Sequence, residues 1–425
     1  MLRMRVIPGF SAVLLFFWLA GASLPCAAEL RIVSSTGHAP LLGRLFEAFA
    51  RERPEVSGGV SDGPRHFSRE ADLEFRLSTG AMGDLFSFPS GALFNAIDAE
   101  NSLVDLSWLP LLRRVKGEFV SNVRRNGRVY GIPLGGPSVG GIFYSYDVYA
   151  ELGLSPPESW EQFMENNRKI AEAGLIPVMQ TYRSSWTAQM LFLADYFNVH
   201  REEPQFAADL SANRTSFSGS AAALRSFAKV EELVSAGYMN ADRELLVIED
   251  GLIALAEGRA AHYPILDFGL DLLERMRPGA SERIGFFPIP PDVPGKTGVT
   301  LWMPPALYVS KSSNNIDGSL DFLDFIASPA GCALTTSANR RALSYIADCA
   351  TGAGLPPSLR GLMTYLDDPA RHVAALEFLS PLKGPSLEQI CTALGLGIID
   401  APEAARRYDR DIKRRARELG LEAWR

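Results

Sequence analysis

The chain has 425 residues, a formal net charge of −7 at neutral pH and 21% charged residues. Mild acidity without a dense Lys/Arg block argues against nucleic acid as the main partner. Its four cysteines and five histidines form no CxxC, HExxH or Cys/His cluster, so neither a metal nor another cofactor is expected.

Met1-Leu2-Arg3-Met4-Arg5 precedes an apolar run from Phe10 to Ala20, and Pro25-Cys26-Ala27-Ala28 precedes Glu29. A basic start, a short apolar stretch and small residues make a secretory signal peptide over residues 1–28, cleaved after Ala28. The run is shorter than the roughly 20 residues of a membrane span. No later apolar run reaches about 18, so a soluble, monomeric periplasmic chain is expected. Leu24-Pro25 stand where a lipoprotein pattern wants small residues, which argues against lipid anchoring at Cys26. Removing 28 of 425 residues leaves 397, enough for two domains, and loss of Arg3 and Arg5 takes the charge from −7 to −9. In an oxidising compartment a Cys332–Cys349 disulfide would close a short loop, worth about 3 kcal/mol, leaving Cys391 free or buried.

Glu29 to Ser34 reads as a first strand. Leu41, Leu42, Leu45, Phe46 and Phe49 then recur at helical spacing between Pro40 and Arg53, and Pro54 stops that helix. Asp84 to Phe88 reads as a short buried strand and Gly91 to Ala99 as a helix, a rhythm that predicts α/β architecture with a largely parallel sheet. Phe119 to Arg124 and Arg128 to Leu134 read as a hairpin around Asn126-Gly127, which tolerate positive φ. Gly135-Gly136-Pro137 leads into a strand from Gly140 to Tyr146. Ser159-Trp160-Glu161-Gln162 is a capping box opening the clearest helix, with Phe163 and Ile170 on its apolar side and Gly174 at its end. Further helical patterns lie near 219–236, 247–257, 314–327 and 402–419, the last carrying Lys413-Arg414-Arg415 on a solvated face. Proline-dense breaks at 288–294 and 304–305 separate strand-like pieces.

Gly136-Pro137-Ser138-Val139-Gly140 matches the G-x-S-x-G pattern, which needs its serine on a strained strand-to-helix turn. The residues after Ser138 are strand-like, so a crossing loop is expected. Gly295-Lys296-Thr297 ends like a phosphate loop, but Pro290 stands where the first glycine belongs. Glu74 and Asp84 are conceivable as a hydrolytic carboxylate pair, yet nothing in the spacing brings them together. A secreted hydrolase using Ser138 or those carboxylates is therefore the alternative, not the expectation. Sugar C–H faces stack on aromatic rings, which draws attention to Trp302, between a glycine-containing loop and Pro304-Pro305.

Gly127-Arg128-Val129-Tyr130-Gly131-Ile132-Pro133-Leu134 and Phe143-Tyr144-Ser145-Tyr146-Asp147 resemble segments of the family 1 extracellular solute-binding proteins that serve carbohydrate importers. The likeness continues in order through Leu152-Gly153-Leu154, Pro156-Pro157, Ser159-Trp160, Phe163 and Ala173-Gly174-Leu175-Ile176-Pro177. It extends to Glu257-Gly258-Arg259-Ala260-Ala261, Ile284 to Pro290 and Tyr308 to Asn315, covering roughly residues 30–410. Gly83 replaces a proline of the family pattern, His262 a methionine, and Leu266-Asp267-Phe268 a common Gly-x-Trp.

The resemblance implies a maltose-binding-protein-like, type II periplasmic-binding-protein fold: two α/β lobes built from discontinuous pieces, with ligand in the cleft between them. Mapping the family's crossings onto Tyr130–Pro133, Ala261–Pro264 and Tyr308–Lys311 gives an N-terminal lobe of 29–132 and 264–309 and a C-terminal lobe of 133–263 and 310–425. It implies a substrate-binding protein that closes on a small polar solute, a sugar or oligosaccharide, and delivers it to the permease of an ABC importer. Polyamines, organic anions and phosphate esters are the alternative cargoes; pocket charge discriminates them, and whether Arg65, His66 or Arg183 faces the cleft is left open by the sequence. By position, the ligand-binding residues become Ser35, Thr36, His38, Asp84, Ser87, Phe88, Trp186, Tyr263, Phe268 and Trp302. Trp302 and Phe268 are expected to stack and His38 to meet hydroxyls; Asp267 reads as a solvated helix start or a cleft carboxylate.

Overall fold

In the computed structural model, residues 28–35, 37–63, 70–295, 297–337, 343–349 and 355–425 are described. The expected signal peptide lies outside them except for Ala28, and so do Thr36, Arg65, His66 and Lys296. The strands are β1 (Ala28–Ser34), β2 (Val56–Asp62), β3 (Leu85–Phe88), β4 (Arg124–Arg125), β5 (Arg128–Val129), β6 (Gly131–Pro133) and β7 (Ser138–Ser145). They continue as β8 (Ile176–Val178), β9 (Ala260–Leu266), β10 (Ile284–Phe287), β11 (Val299–Trp302), β12 (Ala306–Val309) and β13 (His372–Ala374).

The first sheet has the order β2-β1-β3-β12-β6, with β1, β2 and β3 parallel and β12 antiparallel to both its neighbours. Helix Ala39–Glu52 covers it with Leu41, Leu42, Leu45, Phe46 and Phe49, the apolar stripe seen in the sequence, and ends at Arg53 before Pro54. Helices Ile316–Ile326 and Pro329–Ser337 pack on that helix, where Phe322 meets Phe49 at 5.3 Å between ring centroids. The Cys332–Cys349 disulfide is present and Cys391 is buried with a free thiol.

The second sheet runs β13-β11-β7-β9-β8, with β10 also on β7. β7 is antiparallel to β9, β10 and β11. Its side chains alternate: Val139 and Phe143 enter one core cluster, Ile142 and Tyr144 another. Helices bury both faces of this strand, which accounts for its nearly unbroken apolar sequence.

Two expectations need correction. Phe119 lies in a short helix, Gly117–Ser121, so the hairpin reduces to β4 and β5 around Asn126 and Gly127, whose φ values are 47° and 80°. The lobes also divide elsewhere. β10 and β11 hydrogen-bond to β7, so 264–302 stays with the second sheet, whereas β12 and the helices to Ser337 belong to the first. The described residues of 28–133 and 306–337 thus go with the first sheet, and those of 138–302 with the second, as does helix Pro357–Leu366, which packs on β10. Between them Leu343 enters a core of the second sheet, while Tyr345, Ile346 and Cys349 enter that of the first. Ala261–Pro264 is interior to the β9 ladder, and the second crossing falls at Met303-Pro304-Pro305.

Candidate functional site

Short crossings hold the carboxyl ends of the strands in one lobe against those of the other. β6 ends at Pro133 and five residues later β7 begins at Ser138, which pairs with Trp302. β11 ends at Trp302, and β12 begins at Ala306, which pairs with both Phe88 and Pro133. Four or five residue steps span at most about 18 Å, so the two rims form the walls of one cleft. Ligands of open α/β sheets bind outside such carboxyl ends. Beside the first crossing a small recess is lined by Gly135, Gly136, Pro137, Thr335, Thr336, Leu343 and Ser344.

On the first rim, the Ser35 amide donates to the Ser87 carbonyl at 3.2 Å and the His38 amide to Ser34 Oγ at 3.1 Å. Ser87 Oγ also reaches Ser34 Oγ, at 3.4 Å. These bonds fold the chain after β1 over the end of β3 and leave the His38 side chain half-buried just before helix Ala39–Glu52. Ser35 Oγ is buried without a hydrogen-bond partner among the described residues. Phe88 is buried in the first core at the last position of β3.

On the second rim, the Trp302 ring lies over Gly140, where any Cβ would come within 2.6 Å of it. Glycine there lets the indole settle on the strand while staying half-exposed. Trp186 and Phe268, also half-buried, pack together on the opposite face at 5.6 Å between centroids. The rim thus carries an aromatic on each side of its sheet.

Two candidates sit away from this rim. Asp84 stands at the amino end of β3, about 13 Å along the sheet from its carboxyl end. It is 2% exposed and accepts from the Arg31 amide and from Ser313 Oγ, each at 2.8 Å. It staples the far end of the sheet, because the residue before a short strand lies at the opposite end from the cleft. Tyr263 is wholly buried on β9, with its ring against Gly251 and its hydroxyl 2.5 Å from Thr181 Oγ1. The pleat turns that position towards helix Ile248–Ala256. Asp267 is neither solvated nor a cleft carboxylate on display: it is buried, and Oδ1 accepts from the Val139 amide at 3.0 Å. Arg183 is exposed, and its amide donates to the Leu246 carbonyl. Ser138 begins β7 rather than a strand-to-helix elbow.

The sequence did not single out Gln180 and Gln189. Gln180 follows the carboxyl end of β8, its backbone clasped by Asn240 at 2.7 and 3.1 Å. Gln189 closes the same 3-10 helix that carries Trp186 and donates to Glu388 at 3.5 Å. The Oε1 atoms of both are buried without a partner among the described residues. Position just after a strand was the available signal, and many residues share it.

Comparisons with known proteins agree with this geometry. Residues 75–331 match the bacterial extracellular solute-binding protein family. A 147-residue stretch is 24% identical to the multiple sugar-binding protein of Streptococcus mutans serotype c, spanning 34% of this chain and 34% of that protein. Among solved structures, a chitin oligosaccharide binding protein superposes with a TM-score of 0.75 at 17% identity, covering 92% of this chain and 99% of that one. RafE in complex with raffinose gives 0.74 at 18% identity, covering 92% and 100%. These likenesses establish the two-lobed fold. With the family pattern matched over more than half its length, the chain belongs to the bacterial extracellular solute-binding proteins.

Proposed function

We propose that this protein captures a sugar or oligosaccharide between its lobes and presents it to the permease of an ABC importer, binding reversibly and forming no product. The observation that carries the reading is the make-up of the rims: half-buried Trp186, Phe268 and Trp302 beside buried, uncharged oxygens on Ser35, Gln180 and Gln189. Rings offer stacking faces to C–H groups, while the oxygens accept hydroxyl protons whose loss of water must be made good. A polyamine or organic anion would need opposite charge at the rim, and these six residues carry none. The relatives named for sugar binding support the same cargo.

A thermal-shift screen of the mature protein tests this, using mono- and oligosaccharides against polyamines, organic acids and phosphate esters. A ligand at a hundred times its Kd adds about 2.7 kcal/mol, enough to raise Tm by several degrees. Trp302→Ala is expected to weaken a saccharide hit by about 2 kcal/mol, roughly thirtyfold in Kd. A shift with charged solutes alone overturns the sugar; turnover of a bound saccharide overturns the binding role.

A further inference from the structure

The connections between the lobes converge on one spot. Gly136 of the first crossing abuts the Leu343 carbonyl. Two residues on from Leu343, the Tyr345 hydroxyl lies 3.1 Å from Met303 Sδ in the second crossing. That hydroxyl also donates to Glu118 Oε1 at 3.3 Å, and the Tyr345 carbonyl accepts from the Lys116 amide at 2.8 Å. Helix Gly117–Ser121 of the first lobe is thereby held at the junction with Glu118 in its first turn.

Facing Glu118 from the second lobe is His372, the first residue of β13, with Nε2 3.6 Å from Glu118 Oε2. Its Nδ1 is 3.0 Å from the Tyr365 carbonyl oxygen. Both ring nitrogens thus face acceptors. A neutral imidazole has one N–H for the two, so one contact is then lone pair against lone pair. The protonated ring donates to both and adds the charge attraction. The His372 side chain is 10% exposed and that of Glu118 37%, so solvent screens the pair only in part.

We propose that His372 and Glu118 form a proton-operated clasp across the hinge, which engages when His372 is charged and biases the angle between the lobes. It would regulate the lobe closure proposed above and rests on that reading. The Glu118 carboxylate raises the His372 pKa above its ordinary 6.5, with burial opposing and the Tyr365 carbonyl assisting. The clasp is therefore complete below about pH 6.5 and is lost as pH rises through the raised value. Other charges nearby have partners of their own. Arg371 stacks on the Tyr365 ring at 4.2 Å and donates to the Thr297 carbonyl at 3.2 Å. Asp368 accepts from the Ala370 amide at 2.9 Å, and its backbone also favours the charged imidazole. Helix Tyr196–Glu202, packed on β13, contributes Tyr196, His200, Arg201 and Glu202; burial lowers the pKa of His200, the opposite direction from His372.

The test uses energy transfer between dyes at Glu47→Cys and Glu161→Cys, exposed positions on opposite lobes, in the ligand-free mature protein at pH 5.5 and 8.5. Among the described residues the native cysteines are disulfide-bonded or buried. The lobe-angle equilibrium is expected to shift with pH, by up to about tenfold for each pKa unit that the clasp adds to His372. The shift is expected to vanish in both His372→Gln and Glu118→Gln. An interlobe distance unchanged by pH overturns the clasp, as does a shift that survives in both variants. Glu118 is partly exposed, so its variant keeps the test decisive if His372→Gln does not fold. Because no ligand is present, this outcome is independent of the saccharide screen.

Discussion

His262 replaces a methionine of the family pattern and lies fully buried on β9, 5.0 Å from the Phe163 ring and 5.8 Å from that of Phe287. Nδ1 is 2.8 Å from the Pro177 carbonyl and 2.9 Å from Asn167 Oδ1, while Nε2 is 2.7 Å from the Tyr149 hydroxyl. One neutral tautomer satisfies this set: Nδ1–H donates and Nε2 accepts from tyrosine. Burial outweighs the Pro177 carbonyl and lowers the pKa to about 3. Between about pH 6.5 and pH 3 the unfolded chain binds the extra proton and the folded one does not. Stability present above pH 6.5 is therefore lost as pH falls, by up to about 1.4 kcal/mol per pH unit. Urea midpoints at pH 7 and pH 5 should differ less in His262→Gln than in the unaltered protein. An equal drop would show that another group carries the acid sensitivity. The identity of His262 was plain in the sequence, but its neutrality was not, because desolvation comes from residues nearly a hundred positions away.

At the scale of elements, helix Ala221–Ser235 turns Lys229 into the second core. Its Nζ is 2.7 Å from Asp195 Oδ1 and donates to the Pro290 carbonyl at 3.0 Å, and both side chains of the pair are 1% exposed. Asp195 also accepts from Ser226 Oγ and Asn198 Nδ2, each at 2.7 Å. Lys229→Met would strand the carboxylate and is expected to cost about 3–5 kcal/mol of unfolding free energy. A loss below about 1 kcal/mol in urea denaturation would mean that Asp195 is held well enough by its other donors. The helical period predicted this element but not its buried charge, because Asp195 and Pro290 come from separate elements. The capping box was more legible, since its partners are neighbours. The Gln162 amide donates to Ser159 Oγ at 3.2 Å, while Gln162 Oε1 accepts from Glu158, one residue earlier than a box requires. The same locality explains the turn at Asn126-Gly127. Phe119 went astray because a short apolar run fits a strand or a helical turn equally well.

For the whole molecule, a ligand touching both rims favours the state in which they approach. A saccharide identified by thermal shift should therefore reduce the radius of gyration in solution scattering. An unchanged radius at saturation would place binding on one lobe alone. The Asp84 and Tyr263 candidates show where the reading of the site stopped. Asp84 precedes β3 and Tyr263 lies inside β9, where the sequence placed a crossing; neither an apolar run nor a motif says which end of a strand meets the cleft or which face a helix covers. Division of the lobes met the same limit: the pairing of Phe286 with Phe143 joins residues far apart in the chain, and either sheet could have received that strand. The amino-acid sequence by itself determined the α/β class, the longer amphipathic helices, the first strands and the family, because caps, turns and periodicity are local and motif order is linear. Only the tertiary structure decided which sheet each strand joins, which rim residues come together and that Glu118 meets His372, because those outcomes depend on hydrogen bonds and burial between segments remote in sequence.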